Sequence, residues 1–149
     1  MYLDESGFAQ DGPRTHGYSQ QGSRCTGIHN WHSKGRVNAI GAIVGFEFLS
    51  VGLFDSPINS DVFYAWLTHE LIPVLPIDCV VVMDNASFHK RADMIEAIKR
   101  SGALLEFLPT YSPDFNPIEK KWAQAKAIRK RERCTVDTLF SKYMNYDKL

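Results

Sequence analysis

The sequence is poor in the features that mark specialised chains. It holds three cysteines, Cys25, Cys79 and Cys134, far apart and outside any Cys-x-x-Cys pair. That excludes a disulfide scaffold, argues against a zinc site and points to a reducing compartment. No apolar run nears the ~18 residues that a membrane helix needs. The strongest runs, Ile40–Phe46 and Cys79–Met83, are of strand length. The opening Met-Tyr-Leu-Asp-Glu-Ser lacks the basic-then-apolar order of a secretory signal. Internal repeats and low-complexity tracts are missing. So is net charge, with 17 basic residues against 17 acidic, and no global field draws the chain onto nucleic acid.

What remains is the profile of an ordinary globular domain, 44% hydrophobic and 23% charged over 149 residues. A chain of this length forms one domain and hides roughly 68–70% of its unfolded surface. Its charge is unevenly placed. Residues 41–116 hold four Lys/Arg against ten Asp/Glu, whereas residues 117–134 hold seven Lys/Arg against two Glu. A solvated helix face is the plain reading of the basic stretch; a phosphate-contacting element is the sharper one.

The first strand is expected at Met1–Asp4. A chain that opens almost inside a strand suggests the C-terminal portion of a longer protein, or a separately encoded second half. Residues 5–34 are rich in Gly, Ser, Gln, His and Arg without sustained periodicity, with short strands expected at Arg14–Tyr18 and Ser23–Ile28. Val37–Val44 and Glu47–Phe54 read as a hairpin about Gly45-Phe46. Val62, Phe63, Trp66, Leu67 and Leu71 have helical spacing behind a Ser60-Asp61 cap, and Pro73 and Pro76 end that helix. Asp78–Asp84 reads as a strand buried on both faces. A helix follows over Arg91–Ser101 with Gly102 as its stop, then a strand over Ala103–Leu108. Asn116 suits an N-cap and Pro117 the first position of a helix over 117–132. Thr135 or Asp137 starts a last helix.

Three acids stand at element ends in this reading. Asp4 closes the first strand, Asp84 the most apolar one, and Glu119 opens the basic helix. Strand ends of open α/β sheets face the crevice where ligands bind. Carboxylates forced together there repel unless cations compensate, and hard oxygen clusters suit Mg²⁺ or Mn²⁺. Each acid also has an ordinary explanation: a strand terminus for Asp4, an Asp-Asn turn for Asp84, and a capping-box Glu behind Asn116 for Glu119.

Leu3-Asp-Glu-Ser-Gly-Phe8, Val82-Met-Asp-Asn-Ala-Ser-Phe-His-Lys90 and Leu108-Pro-Thr-Tyr-Ser-Pro-Asp-Phe-Asn-Pro-Ile-Glu-Lys-Lys-Trp122 resemble, in order, the three signature blocks of the mariner superfamily of DDE transposases. They look closest to its bacterial insertion-sequence branch, and the 34 residues between Asp84 and Glu119 match its spacing. The resemblance implies an α/β, RNase H-like fold: a mixed five-stranded sheet, antiparallel through strands 1–3 and parallel through strands 4 and 5, flanked by helices. It implies that residues 1–149 are a single catalytic domain without the family's N-terminal helix-turn-helix region. Asp4, Asp84 and Glu119 would hold two Mg²⁺ or Mn²⁺ ions, with Asp4 bridging both. The activity implied is DNA cleavage at transposon ends, then strand transfer into target DNA.

Around the triad, the expected DNA contacts are Asn85, His89, Lys120, Lys121, Lys126, Arg129 and Lys130, with His89 either touching phosphate or orienting a ligand. Trp122 is expected in the core. The implied partners are terminal repeats, target DNA, a second copy of the chain and a separately encoded N-terminal half. The implied location is cytoplasmic and nucleoid-associated. Two other readings stand beside this one. The chain could be a catalytically silent remnant or regulator that binds DNA or a partner through 120–133. It could also be a stand-alone RNase H-like nuclease or junction resolvase.

Overall fold

The computed structural model describes residues 1–10 and 35–144. The strands expected at Arg14–Tyr18 and Ser23–Ile28 lie outside the described residues. Three antiparallel strands come first: β1 (Tyr2–Ala9), β2 (Arg36–Val44) and β3 (Glu47–Phe54). Val44 pairs with Glu47, leaving Gly45-Phe46 as the turn. Gly45 takes φ +62°, which a residue without Cβ adopts at no steric cost.

Strand β4 (Val80–Met83) adds parallel to β1, and β5 (Leu104–Phe107) adds parallel to β4. The sheet order is β3-β2-β1-β4-β5, the mixed sheet expected. Between β3 and β4 lies α1 (Ser60–Trp66), which runs on through a π turn (Leu67–Leu71) and a 3₁₀ turn (Ile72–Val74). Its cap is Asn59, one residue before the expected Ser60; the Asn59 Oδ1 accepts from the Asp61 and Val62 amides at 3.0 and 2.9 Å. Between β4 and β5 lies α2 (Ala92–Arg100), whose Met94 and Ile98 share one buried face. After β5 come α3 (Ile118–Glu132) and the short α4 (Val136–Thr138), capped by Thr135 and continued by a π turn over Leu139–Tyr143.

Each sheet face carries its own core. On one side Leu3, Ile40, Ala42, Val81 and Met83 pack against Phe63, Trp66, Leu67 and Leu71 of the α1 segment and Met94 and Ile98 of α2. On the other, Phe8, Ala39, Ile43 and Val51 pack against Ile118, Trp122 and Ala125 of α3 and Leu139 and Phe140 beyond α4. Fully burying one such side chain contributes roughly 1.5–3 kcal/mol. The spacing Ile118, Trp122, Ala125 is one helical stripe, and Trp122 is core as expected, 2% exposed.

Two expectations are corrected here. Strand β1 does not end at Asp4 but runs to Ala9, because β2 supplies backbone partners along its whole length, from Tyr2↔Ile43 to Ala9↔Arg36. Polar side chains inside such a ladder cost no backbone hydrogen bond. Strand β4 is not buried on both faces. Val81 and Met83 are fully buried, but Val80 is 37% exposed and its neighbour on β5, Leu104, 67%. The α3 core draws its sheet residues from β1, β2 and β3, so among the described residues the outer pair of strands has a single covering layer.

Candidate active site

Strand alternation sorts the acids of β1. Tyr2 and Phe8 pack in the α3 core, and Leu3 packs in the α1–α2 core. Asp4 shares the parity of Tyr2 and Phe8 and belongs to the α3 face, while Glu5 shares the parity of Leu3 and belongs to the opposite one. The parallel pair Tyr2↔Val82 fixes the register of β1 on β4. Two residues further along each chain stand Asp4 and Asp84. Glu119 lies in the first turn of α3, on the layer that covers Asp4.

The seat of α3 is set by a missing side chain. Gly41 is the β2 partner of Asp4. A Cβ there would lie 2.6 Å from the Trp122 ring, closer than real contacts allow. Glycine at this position lets the helix bearing Glu119 settle onto the sheet beside Asp4.

The start of α3 differs from expectation. Pro117 occupies the cap position with no side-chain cap bond. Asn116 is buried, its backbone oxygen accepts from the Glu119 amide at 3.1 Å, and its side-chain oxygen has no partner. The capping-box explanation of Glu119 therefore fails, since the buried Asn116 side-chain oxygen accepts from no helix amide. The turn explanation of Asp84 holds locally: Asp84 Oδ1 accepts from the Ala86 amide at 3.1 Å.

The electrostatics couple Asp4 to the neighbouring acids. Burial, then repulsion from Glu5, Glu119 and Asp84, pushes the Asp4 carboxyl up to about 7, against the pull of the Glu5 amide. Asp84 moves the other way. Contact with His89 holds it below the usual carboxylate range, and the Ala86 amide adds to this against the effect of burial. His89 is 1% exposed. Its Nε2 lies 2.8 Å from Glu5 Oε1. Its Nδ1 lies 2.6 Å from Asp84 Oδ1, an ion-pair distance off the line of a good hydrogen bond. Burial works against the imidazolium, but the contacts with Asp84 and Glu5 outweigh it and raise His89 to about 9.

The donor set suits a hard divalent cation, being all carboxylate oxygen with repulsion that a cation would relieve. It is not a finished cage. Among the described residues no three His, Cys, Asp or Glu side chains are gathered as a ligand cluster, and Asp84 Oδ1 is engaged with His89 and the Ala86 amide.

The other expected residues divide. Asn85 Nδ2 donates to Thr110 Oγ1 at 3.3 Å, tying the loop after β4 to the loop after β5. His89 faces the acids from the α1 side, with its ring centroid 4.7 Å from that of Phe63. Lys121 and Lys126 sit over the rings of Phe48 and Phe8 at 5.7 and 5.5 Å. Arg129 spends its guanidinium on the backbone oxygens of Ala9, Gln10 and Cys134. Lys120 and Lys130 are exposed. Glu5 was not anticipated. The adjacent Asp4-Glu5 pair was its only signal, and strand alternation sends the second acid to the other face.

Residues 1–139 match the family described as DDE superfamily endonuclease. The chain belongs to the DDE superfamily of endonucleases. Several solved structures share its fold at low identity. The Mos1 transposase paired-end complex with left transposon end has a TM-score of 0.68 and 14% identity, covering 99% of this chain and 48% of that one. The crystal structure of the Mos1 mariner paired-end complex with Mn has a TM-score of 0.60 and 14% identity, covering 97% and 48%. The catalytic domain of Mos1 mariner transposase has a TM-score of 0.61 and 12% identity, covering 99% and 70%. The chain thus spans about half the length of the transposase chains in the paired-end complexes. No curated protein matches by sequence. These likenesses bear out the RNase H-like architecture of this DDE endonuclease. Among the described residues no helix is long and apolar enough to cross a membrane.

Proposed function

We propose that this DDE endonuclease is the catalytic domain of a transposase, cutting DNA at transposon ends and joining the freed 3′-hydroxyl to target DNA. Asp4, Asp84 and Glu119 are its cation-holding acids. The observation that supports this best is the register: the Tyr2↔Val82 pair sets Asp4 and Asp84 level on adjacent chain segments, and α3 carries Glu119 on the layer that covers Asp4, while burial and repulsion from Glu5, Glu119 and Asp84 raise the Asp4 carboxyl. Such a cluster costs stability in a fold that makes no use of it.

Two Mg²⁺ or Mn²⁺ ions bound there would supply charge neutralisation and Lewis acidity at the attacking and leaving oxygens of a phosphodiester. The chain's own residues do the rest. Asp4 and Asp84 offer carboxylates from neighbouring strands, Glu119 offers one from the helix above, and the Asn85–Thr110 bond holds together the two loops that border them. Lys120 and Lys130, exposed on the same helix as Glu119, offer cations for backbone phosphate. Terminal repeats and target DNA are the substrates in this reading. A second copy of the chain and an end-reading segment complete the active assembly.

The test is nicking of terminal-repeat DNA with Mg²⁺ or Mn²⁺, wild type against Asp84→Asn. Metal-dependent nicking by the wild type that falls to background in the variant is expected. Equal metal-dependent nicking by both would defeat the assignment. Activity on RNA–DNA hybrids or four-way junctions, but not on terminal repeats, would replace transposition with a stand-alone nuclease.

A further inference from the structure

His89 is the most enclosed polar group of the site, and the cation-holding role assigned to Asp4, Asp84 and Glu119 does not use it. It follows β4 in a short 3₁₀ turn, Ser87–Lys90. Its ring packs between Phe63 and Phe88, with centroids 4.7 and 4.1 Å away. Its two nitrogens meet two carboxylates, Glu5 Oε1 at 2.8 Å and Asp84 Oδ1 at 2.6 Å. Glu5 and Asp4 are neighbours on β1, yet they belong to opposite faces of the sheet. The bridge therefore passes from the underside of β1 to the acid that stands beside Asp4 on top.

The two ends of the bridge differ in freedom. The Asp84 side chain is 48% exposed, the Glu5 side chain 20% and His89 1%. Alone, a half-exposed carboxylate at the start of a loop would sample several rotamers. Here its Oδ1 accepts from the Ala86 amide at 3.1 Å and faces the Nδ1 of a ring packed on two phenylalanines, so that amide and imidazole fix one oxygen together. The arrangement matches the carboxylate–histidine pairs that orient ligating groups from behind.

We propose that Glu5 and His89 are positioning residues: Glu5 orients the imidazole, and the imidazole holds Asp84 in the pose from which it takes a divalent cation. This rests on the assignment of Asp84 as a cation-holding acid. Glu5 does not itself face the cation side of the sheet, and the Glu5–His89 pair acts through Asp84.

The experiment measures Mn²⁺ affinity by electron paramagnetic resonance of the free aqua ion, alongside nicking kinetics. It uses the full chain and the variants His89→Ala, Glu5→Ala, Glu5→Gln and Asp84→Asn. Expected are a Mn²⁺ affinity weakened about 10-fold or more in His89→Ala and Glu5→Ala, a fall in kcat with little change in KM for DNA, and recovery to within about 3-fold of wild type in Glu5→Gln, which keeps the acceptor for His89. If His89→Ala does not fold, the two Glu5 variants, at a partly exposed position, carry the comparison. Wild-type Mn²⁺ affinity and kcat in folded Glu5→Ala, while Asp84→Asn loses both, would overturn the positioning role and leave the proposed function standing. Equal weakening by Glu5→Ala and Glu5→Gln would assign the effect to charge and likewise overturn it. Full Mn²⁺ affinity and nicking in Asp84→Asn would overturn the functional reading on which it rests.

Discussion

Replacing Asp4 by Asn should make the cation-free protein more stable, and by an amount that depends on pH. In the folded chain the Asp4 carboxyl is raised from 3.8 to about 7. Between those values the folded state keeps a proton that the unfolded state has released. Stability therefore falls as pH rises from about 4 to about 7, and above 7 the whole cost is in force. A rise of about three units corresponds to at most about 4 kcal/mol. In a chain of this size each kcal/mol moves the melting temperature by about 2–4 °C. Calorimetry in EDTA should show Asp4→Asn melting several degrees above wild type at pH 8, with the gap closing towards pH 4. Millimolar Mg²⁺ at pH 8 should raise the wild type, which regains by cation binding what repulsion removes, and leave Asp4→Asn nearly unmoved. A variant no more stable than wild type at pH 8, or a gap of equal size at both pH values, would refute the reasoning.

Three further outcomes follow from the same geometry. His89 is held at about 9 against an ordinary 6.5, so its contribution to stability is full below about pH 6.5 and lost as pH rises through 9; urea midpoints of the wild type should decline over that window, and those of His89→Gln should decline less. Gly41→Ala should drive a methyl group into the Trp122 ring and cost about 1–3 kcal/mol, with a shift in tryptophan emission that a control Gly45→Ala does not share. Arg129→Ala should lower the unfolding free energy read from urea titration by about 1 kcal/mol through loss of its carbonyl contacts, whereas Lys130→Ala should leave stability alone and reduce the salt slope of DNA binding by about one counterion.

Much of the architecture is legible in the chain because it rests on local signals. The Gly45-Phe46 hairpin, the Met94–Ile98 face of α2 and the Ile118, Trp122, Ala125 stripe of α3 are each written within about ten residues. What escaped depends on contacts between distant segments. The two acids at positions 4 and 5 look like a strand end, yet β2 pairs on past them to Ala9. The apolar run of β4 looks doubly buried, yet among the described residues the α3 core draws on β1, β2 and β3 and not on β4. Asn116 has the composition of a cap, but its side chain is drawn inside while Pro117 takes the cap position. The acids at 4, 84 and 119 were singled out from three motif blocks in the sequence. The Glu5–His89 bridge was not, because it joins residues 84 positions apart, one inside a strand and one in a turn after another strand. Arg129 belongs to a basic run but is consumed by backbone oxygens 119 and 120 positions away.

The ladder of β1 on β2 has a consequence for how this molecule can fail. Leu3 and Phe8 feed opposite cores, while Asp4 and Glu5 serve opposite sides of one centre. A slip of one residue would swap all four at once: Leu3 and Phe8 would exchange cores, and Asp4 would take the side on which Glu5 meets His89. A mispaired β1 thus loses both cores and the placement of its two acids in the same step.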